Sequence, residues 1–233
     1  MTKTKAIILH KSSFKESSYL VKLLTNDQGI ISAIVQGAKR KNSKYQAHFE
    51  IGNLLEVVLL KKQTSSLYLI TDSTLIKFID PQSITFPQLI YIQSALEIYS
   101  QLIISPEDSS DHFNLLEVYI DYIPRVKNNH ILIYWRFLLK LADLLGYPLT
   151  HFENNQYKFM TDSDFLLNYS HDTLLIVNKW LSHLPNASIL INSDNIIDKD
   201  CLIMNSFLIN WFEYHLHKKI EIKAIELMIG LNE

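Results

Sequence analysis

The chain has 233 residues, 48% hydrophobic and 20% charged, which suits one large domain or two small ones with a buried core. Five glycines in none of the spacings of a phosphate loop or nucleophile elbow argue against those chemistries, and a single cysteine, Cys201, excludes an internal disulfide and an all-cysteine zinc site. The net charge of −2 hides a division: residues 1–80 carry 12 basic and 6 acidic side chains and the remainder 10 and 18, so either the first part meets a polyanion or surface composition happens to divide there.

The opening MTKTKAIILHKSSFKESS has a basic prefix, but its apolar run, Ala6 to Leu9, is too short for a signal-peptide core. Short β-branched and apolar runs follow at Tyr19–Leu24, Ile30–Val35, Leu54–Leu60 and Leu67–Ile70, separated by polar or turn-forming stretches. Asn26 to Gly29 reads as a tight hairpin, with glycine supplying the positive φ. Five short strands within 80 residues predict a small closed barrel, of OB or SH3-like type, with no exposed sheet edges.

After Asp80-Pro81 the apolar period becomes helical. Helices are predicted near Phe86–Ile104, Asp111–Ile123, Asn129–Leu145, Asp172–Leu184, Asp200–His217 and Lys223–Ile229. Gly146-Tyr147-Pro148 stops the third of these. That helix is apolar all round except for a face with Arg136, Lys140 and Asp143, so it belongs at the centre of a bundle and does not read as a membrane span. The expectation is an α+β, two-domain chain, with a β-barrel at 1–80 and an all-α helical domain at 81–233.

Catalytic signatures are missing. The nine histidines are scattered, and His215 and His217 stand two apart on a predicted helix, so they point in different directions. Asp162-Ser163-Asp164 lacks the glycine and distal glutamate of an EF-hand. The segment with chemical character is Gly37 to Tyr45, where Lys39, Arg40, Lys41 and Lys44 stand with Tyr45 between two predicted strands. Cations neutralise phosphates and aromatic rings offer bases a stacking surface, so the segment reads as a nucleic-acid contact or as a solvated lysine-rich loop. Lys11 and Lys15, flanking Phe14, form a second basic–aromatic cluster on the predicted first inter-strand loop. A barrel that binds protein instead of nucleic acid is the alternative; a hydrolase or nuclease assembled from distant residues is a remoter one.

Three stretches resemble the RecO family of recombination mediators: AIILHKSSFKESSYLVKLLTNDQGIISAIVQGAKRKNSK at the start, WRFLLKLADLLGYPL from Trp135 to Leu149, and FLINWFEYHLHKKIEIKAI near the end. The first is the specific one. The resemblance implies an OB-fold barrel followed by a helical domain, with no enzymatic activity. It implies binding of single- and double-stranded DNA, annealing of complementary strands, and action with RecR to help RecA replace single-strand-binding protein (SSB), in the cytoplasm at the nucleoid. By position, Lys39, Arg40, Lys41 and Lys44 correspond to the family's basic loop. Many members carry a four-cysteine zinc site after the Leu-Gly-Tyr helix; Thr150 to Asn168 contains no cysteine, so no metal or other cofactor is expected, and Phe152, Tyr157, Phe159 and Phe165 are expected to pack that segment instead. For the acidic, apolar SSB tail, the candidate cations are Arg136, Lys140 and Lys179, each beside an apolar helix face.

Overall fold

The computed structural model describes residues 1–41, 43, 45, 47–61, 66–80, 82–153, 156–159, 163–184 and 198–225, of which 151–153, 156–159, 163, 183 and 198 are described by their backbone alone. The chain forms two compact units, residues 1–125 with 221–233, and residues 126–220.

The first unit is built on five strands: β1 (Thr2–Phe14), β2 (Ser18–Thr25), β3 (Ile30–Val35), β4 (Leu54–Lys61) and β5 (Tyr68–Lys77). They close in the order β1-β2-β3-β5-β4, antiparallel throughout except for β3 beside β5. β1 is longer than its apolar run because it serves two partners. Thr2–Ile7 pair with β4 and Ala6–Phe14 with β2, and a bulge between Ile8 and His10 lets the strand bend from one to the other. Alternation sets the interior: Ile31, Ala33 and Val35 are buried while Ile30, Ser32 and Ile34 are half-exposed. Ala6, Ile8, Val21, Leu23, Leu55, Val57, Leu59, Ile70 and Phe49 complete the barrel core.

Two helices, α1 (Phe86–Gln101) and α2 (Ser109–Tyr122), belong to the same unit and pack on β1 and β2. They cover the strands' outer side, where Ile7, Leu9 and Leu24 are as buried as the interior residues. The runs Ala6-Ile7-Ile8-Leu9 and Leu23-Leu24 carry that signature, since an unbroken apolar run needs cover on both faces. Residue 80 marks the change from strand to helix; the compact unit extends past it.

The β2–β3 turn is clamped to the link between α1 and α2. Ile30 N donates to Ile104 O at 3.2 Å and Gly29 N to Ser109 Oγ at 2.9 Å. Gly29 sits at φ +72°, and a Cβ there would lie 2.0 Å from Ile104 O. Lys22 Nζ reaches Ser100 O at 2.6 Å, a cation at the negative end of α1. Between the helices the Tyr99 hydroxyl donates to His112 O at 3.1 Å and lies 3.2 Å from its Nδ1. Burial holds the His112 imidazole below its ordinary pKa despite Asp108 and Asp111 nearby, and pushes the Tyr99 phenol up. The last described residues return to this unit. Gln101 and Glu221 exchange two hydrogen bonds, Ala224 N donates to Glu97 Oε2 at 3.1 Å, and Ile222 and Ile225 are buried.

The second unit contains α3 (His130–Leu144), β6 (Thr150–Glu153), β7 (Gln156–Phe159), α4 (Ser163–Leu166), α5 (His171–His183) and α6 (Asp198–Leu216). α3 is buried nearly all round, with the polar residues Arg136, Lys140 and Asp143 on its more exposed side, as the sequence predicts. The helical region also holds elements not expected in it: the short helix α4, and the β6–β7 hairpin with Thr150 opposite Phe159 and Glu153 opposite Gln156. The expected packing roles of Phe152, Tyr157 and Phe159 lie outside the described side chains. Phe165 is buried against Tyr169, Phe207, Trp211 and Tyr214. Three tryptophans anchor the unit, and each indole N–H has an acceptor: Trp135 to Asn205 Oδ1 at 2.8 Å, Trp180 to Asp200 Oδ2 and Trp211 to Tyr147 O, both at 2.9 Å.

Candidate nucleic-acid interface

The connection from β3 to β4 carries the cations. Directly after Val35 the chain turns through Gly37, with Arg40 N donating to Gly37 O at 3.2 Å and Ser43 N to Arg40 O at 2.9 Å. Ala38, 1% exposed, is drawn into the barrel core. Lys39, Arg40 and Lys41 follow it and are all exposed. Further on, Phe49 plugs the barrel, and the Asn53 amide donates to Ala47 O and His48 O, each at 3.0 Å. Both ends of the loop are thus fixed while its cations face solvent. Arg40 and Lys41 have no acid partner among the described residues.

The β1–β2 turn meets this loop. Lys39 N donates to Ser17 O at 3.1 Å, and Lys39 Nζ to Lys15 O at 3.3 Å. Lys15 occupies the left-handed region, φ +54°, which a lysine adopts at some cost, and its ammonium lies 5.5 Å from the Phe14 ring centroid. Lys15 is therefore brought beside Lys39, although the two are 24 positions apart. Lys11 is not on that turn. It lies within β1, bonded to Glu50 at 2.6 Å and 5.1 Å from the Tyr19 ring, because β1 runs on to Phe14. Its charge is already matched. Tyr45 anchors the loop: its hydroxyl donates to Thr71 O at 3.2 Å and its ring meets His48 and Phe49 edge-on. Lys44 lies outside the described residues.

Two further cation–ring pairs sit on the barrel, each with a tyrosine that composition does not single out. Tyr19 stands beneath Lys11, and Lys61 Nζ lies 5.7 Å from the Tyr68 ring. Both tyrosines sit in apolar runs that read as core strand. Lys61 and Tyr68 stand opposite each other in the β4–β5 register, which appears only once the strands pair.

In the second unit the three cations proposed for an acidic tail are largely occupied. Lys140 pairs with Asp143 at 3.3 Å on the same helix. Lys179 lies 3.4 Å from the buried Asp200 carboxylate and 4.9 Å from the Trp180 ring. Arg136 is half-buried on α3. Among the described residues no three of His, Cys, Asp and Glu gather as a metal site would require, and no helix is long and apolar enough to cross a membrane.

Residues 1–79 match the model of the Recombination protein O N-terminal domain. Proteins named DNA repair protein RecO are similar well beyond that domain. The one from Chlorobium phaeobacteroides is 29% identical over 154 residues, 65% of this chain and 58% of that protein. Those from Chloroherpeton thalassium and Prosthecochloris aestuarii are 30% and 26% identical over 150 and 147 residues, covering 57% and 56% of their lengths. The match thus spans little more than half of each relative. The first 79 residues, folded as a closed five-stranded OB barrel, are thus similar to the RecO amino-terminal domain, and the chain is similar to these RecO proteins along most of its own length.

Proposed function

We propose that this chain is a DNA repair and recombination mediator whose barrel holds single- and double-stranded DNA and brings complementary strands together. One observation carries this reading: Lys39, Arg40 and Lys41 stand exposed on a loop pinned at Ala38 and Phe49, with Lys15 folded in beside them. Exposed cations on a fixed frame neutralise phosphates without reading bases. They also screen the repulsion between two strands held close, and annealing requires no bond to be made or broken covalently. The RecO names of the relatives support the repair role.

The test is annealing of fluorescently labelled complementary oligonucleotides across a salt series, with Lys39, Arg40 and Lys41 changed together to glutamine. Each lost phosphate contact lowers the slope of log affinity against log salt by about 0.7 for single strands, so the triple variant should lose roughly two units of slope. Unchanged binding at physiological salt would remove this loop from the function.

Action with RecR, delivery of RecA to SSB-coated strands, and capture of the SSB tail extend the same reading. For the tail, Arg136 is the cation least committed to an acid, while Lys140 and Lys179 would have to leave Asp143 and Asp200. Titrating the free tail peptide against Arg136→Ala and Lys179→Ala decides between them, and equal affinity in both discards this surface.

A further inference from the structure

We propose that Tyr19 and Tyr68 are base-stacking platforms, so that the barrel holds nucleic acid with unpaired bases in preference to duplex; this rests on the nucleic-acid reading above and deepens it. Tyr19 is the second residue of β2 and Tyr68 the first of β5, both half-buried and packed against the barrel core. A ring held in that way is already ordered, so a base that settles on its free side costs little further side-chain freedom. Neither hydroxyl makes a hydrogen bond to a described residue, in contrast to Tyr45, whose hydroxyl is bound to Thr71 O.

The register fixes the spacing. Tyr19 is opposite Val35 and Tyr68 is alongside Ala33, so β3 lies between them. Two strand spacings across and two residues along separate their Cα positions by roughly 12 Å. That is more than three times the rise of about 3.4 Å between stacked bases in a duplex strand. The two rings therefore take separate bases and do not sandwich one.

A lysine accompanies each ring, Lys11 at 5.1 Å and Lys61 at 5.7 Å. An exposed cation–ring contact is worth about two- to fivefold in an equilibrium, whereas a stacked base is worth about five- to more than a hundredfold. The base wins the ring face. Lys61, with no acid partner among the described residues, then follows the adjoining phosphate. Lys11 gives up only a surface ion pair with Glu50 to do the same. Bases in a duplex are already stacked and cannot reach either ring, hence the preference.

The experiment compares three ligands on the full chain: oligothymidine, an abasic strand of the same length and phosphate count, and a blunt duplex. The unmodified chain is expected to bind oligothymidine at least about tenfold tighter than the abasic strand. Tyr19→Leu with Tyr68→Leu should close that gap without changing the salt slope, and Tyr19→Phe with Tyr68→Phe should preserve it. Equal affinity of the unmodified chain for thymidine and abasic strands overturns the stacking role, leaves the phosphate reading standing, and needs no variant to fold. Binding of none of the three in a salt-dependent way overturns the reading beneath it instead.

Discussion

The methyl group of Ala38 is buried in the barrel, while Lys39, Arg40 and Lys41 directly after it are exposed. Lys11 carries the same charge within a few residues of the same turn and contributes little free charge, because Glu50 holds it. Composition made the 39–41 cations legible in the sequence, but it could not distinguish a free lysine from a paired one. The partner, Glu50, is 39 positions away and reaches Lys11 only once the barrel closes. Tyr19 and Tyr68 were hidden for the opposite reason: a half-buried ring on a strand leaves the same trace in a sequence as a buried one. Buried His112 gives a residue-scale test. Its folded-state pKa is lowered, so below about 6.5 the unfolded chain binds a proton that the folded chain refuses. Stability should therefore fall as pH drops from 7 toward 5, and urea midpoints for His112→Gln should fall less over that range.

At the scale of elements, the strands and helices were legible because their periods differ, 2 against 3.6 residues. Their lengths were less so. β1 runs from Thr2 to Phe14, since polar residues on a strand's open side do not end it. The hairpin of β6 and β7, four residues to each strand, was too short to stand out beside long helices. The β2–β3 turn shows how an element boundary comes to be fixed from outside. Gly29 meets the carbonyl of Ile104, beyond the end of α1, with no room for a side chain. Gly29→Ala combines a left-handed φ with a backbone clash and should cost at least about 2 kcal/mol in urea unfolding. A smaller loss would mean that the clamp between the turn and the helices gives way easily.

At the scale of the whole molecule, the compact unit that contains the barrel extends beyond residue 80. The change of period at residue 80 suggested a barrel that stops where the helices begin. The barrel unit instead takes α1 and α2 as its coat and recovers residues 221–225 from beyond the second unit. Sequence could not indicate this, because hydrogen bonds such as Gln101 to Glu221 join residues 120 positions apart. Removing residues from 221 onward should lower the stability of the first unit by uncovering α1, read as faster hydrogen exchange in α1 and β1. Exchange unchanged there would mean that the returning segment is only a passenger. If the segment matters, it orders events on the ribosome. The five strands can pair as soon as they emerge, but the flank of α1 stays bare until the entire second unit has been synthesised. A stall anywhere in that interval would leave a closed barrel whose outer helix still exposes apolar surface to the chaperones.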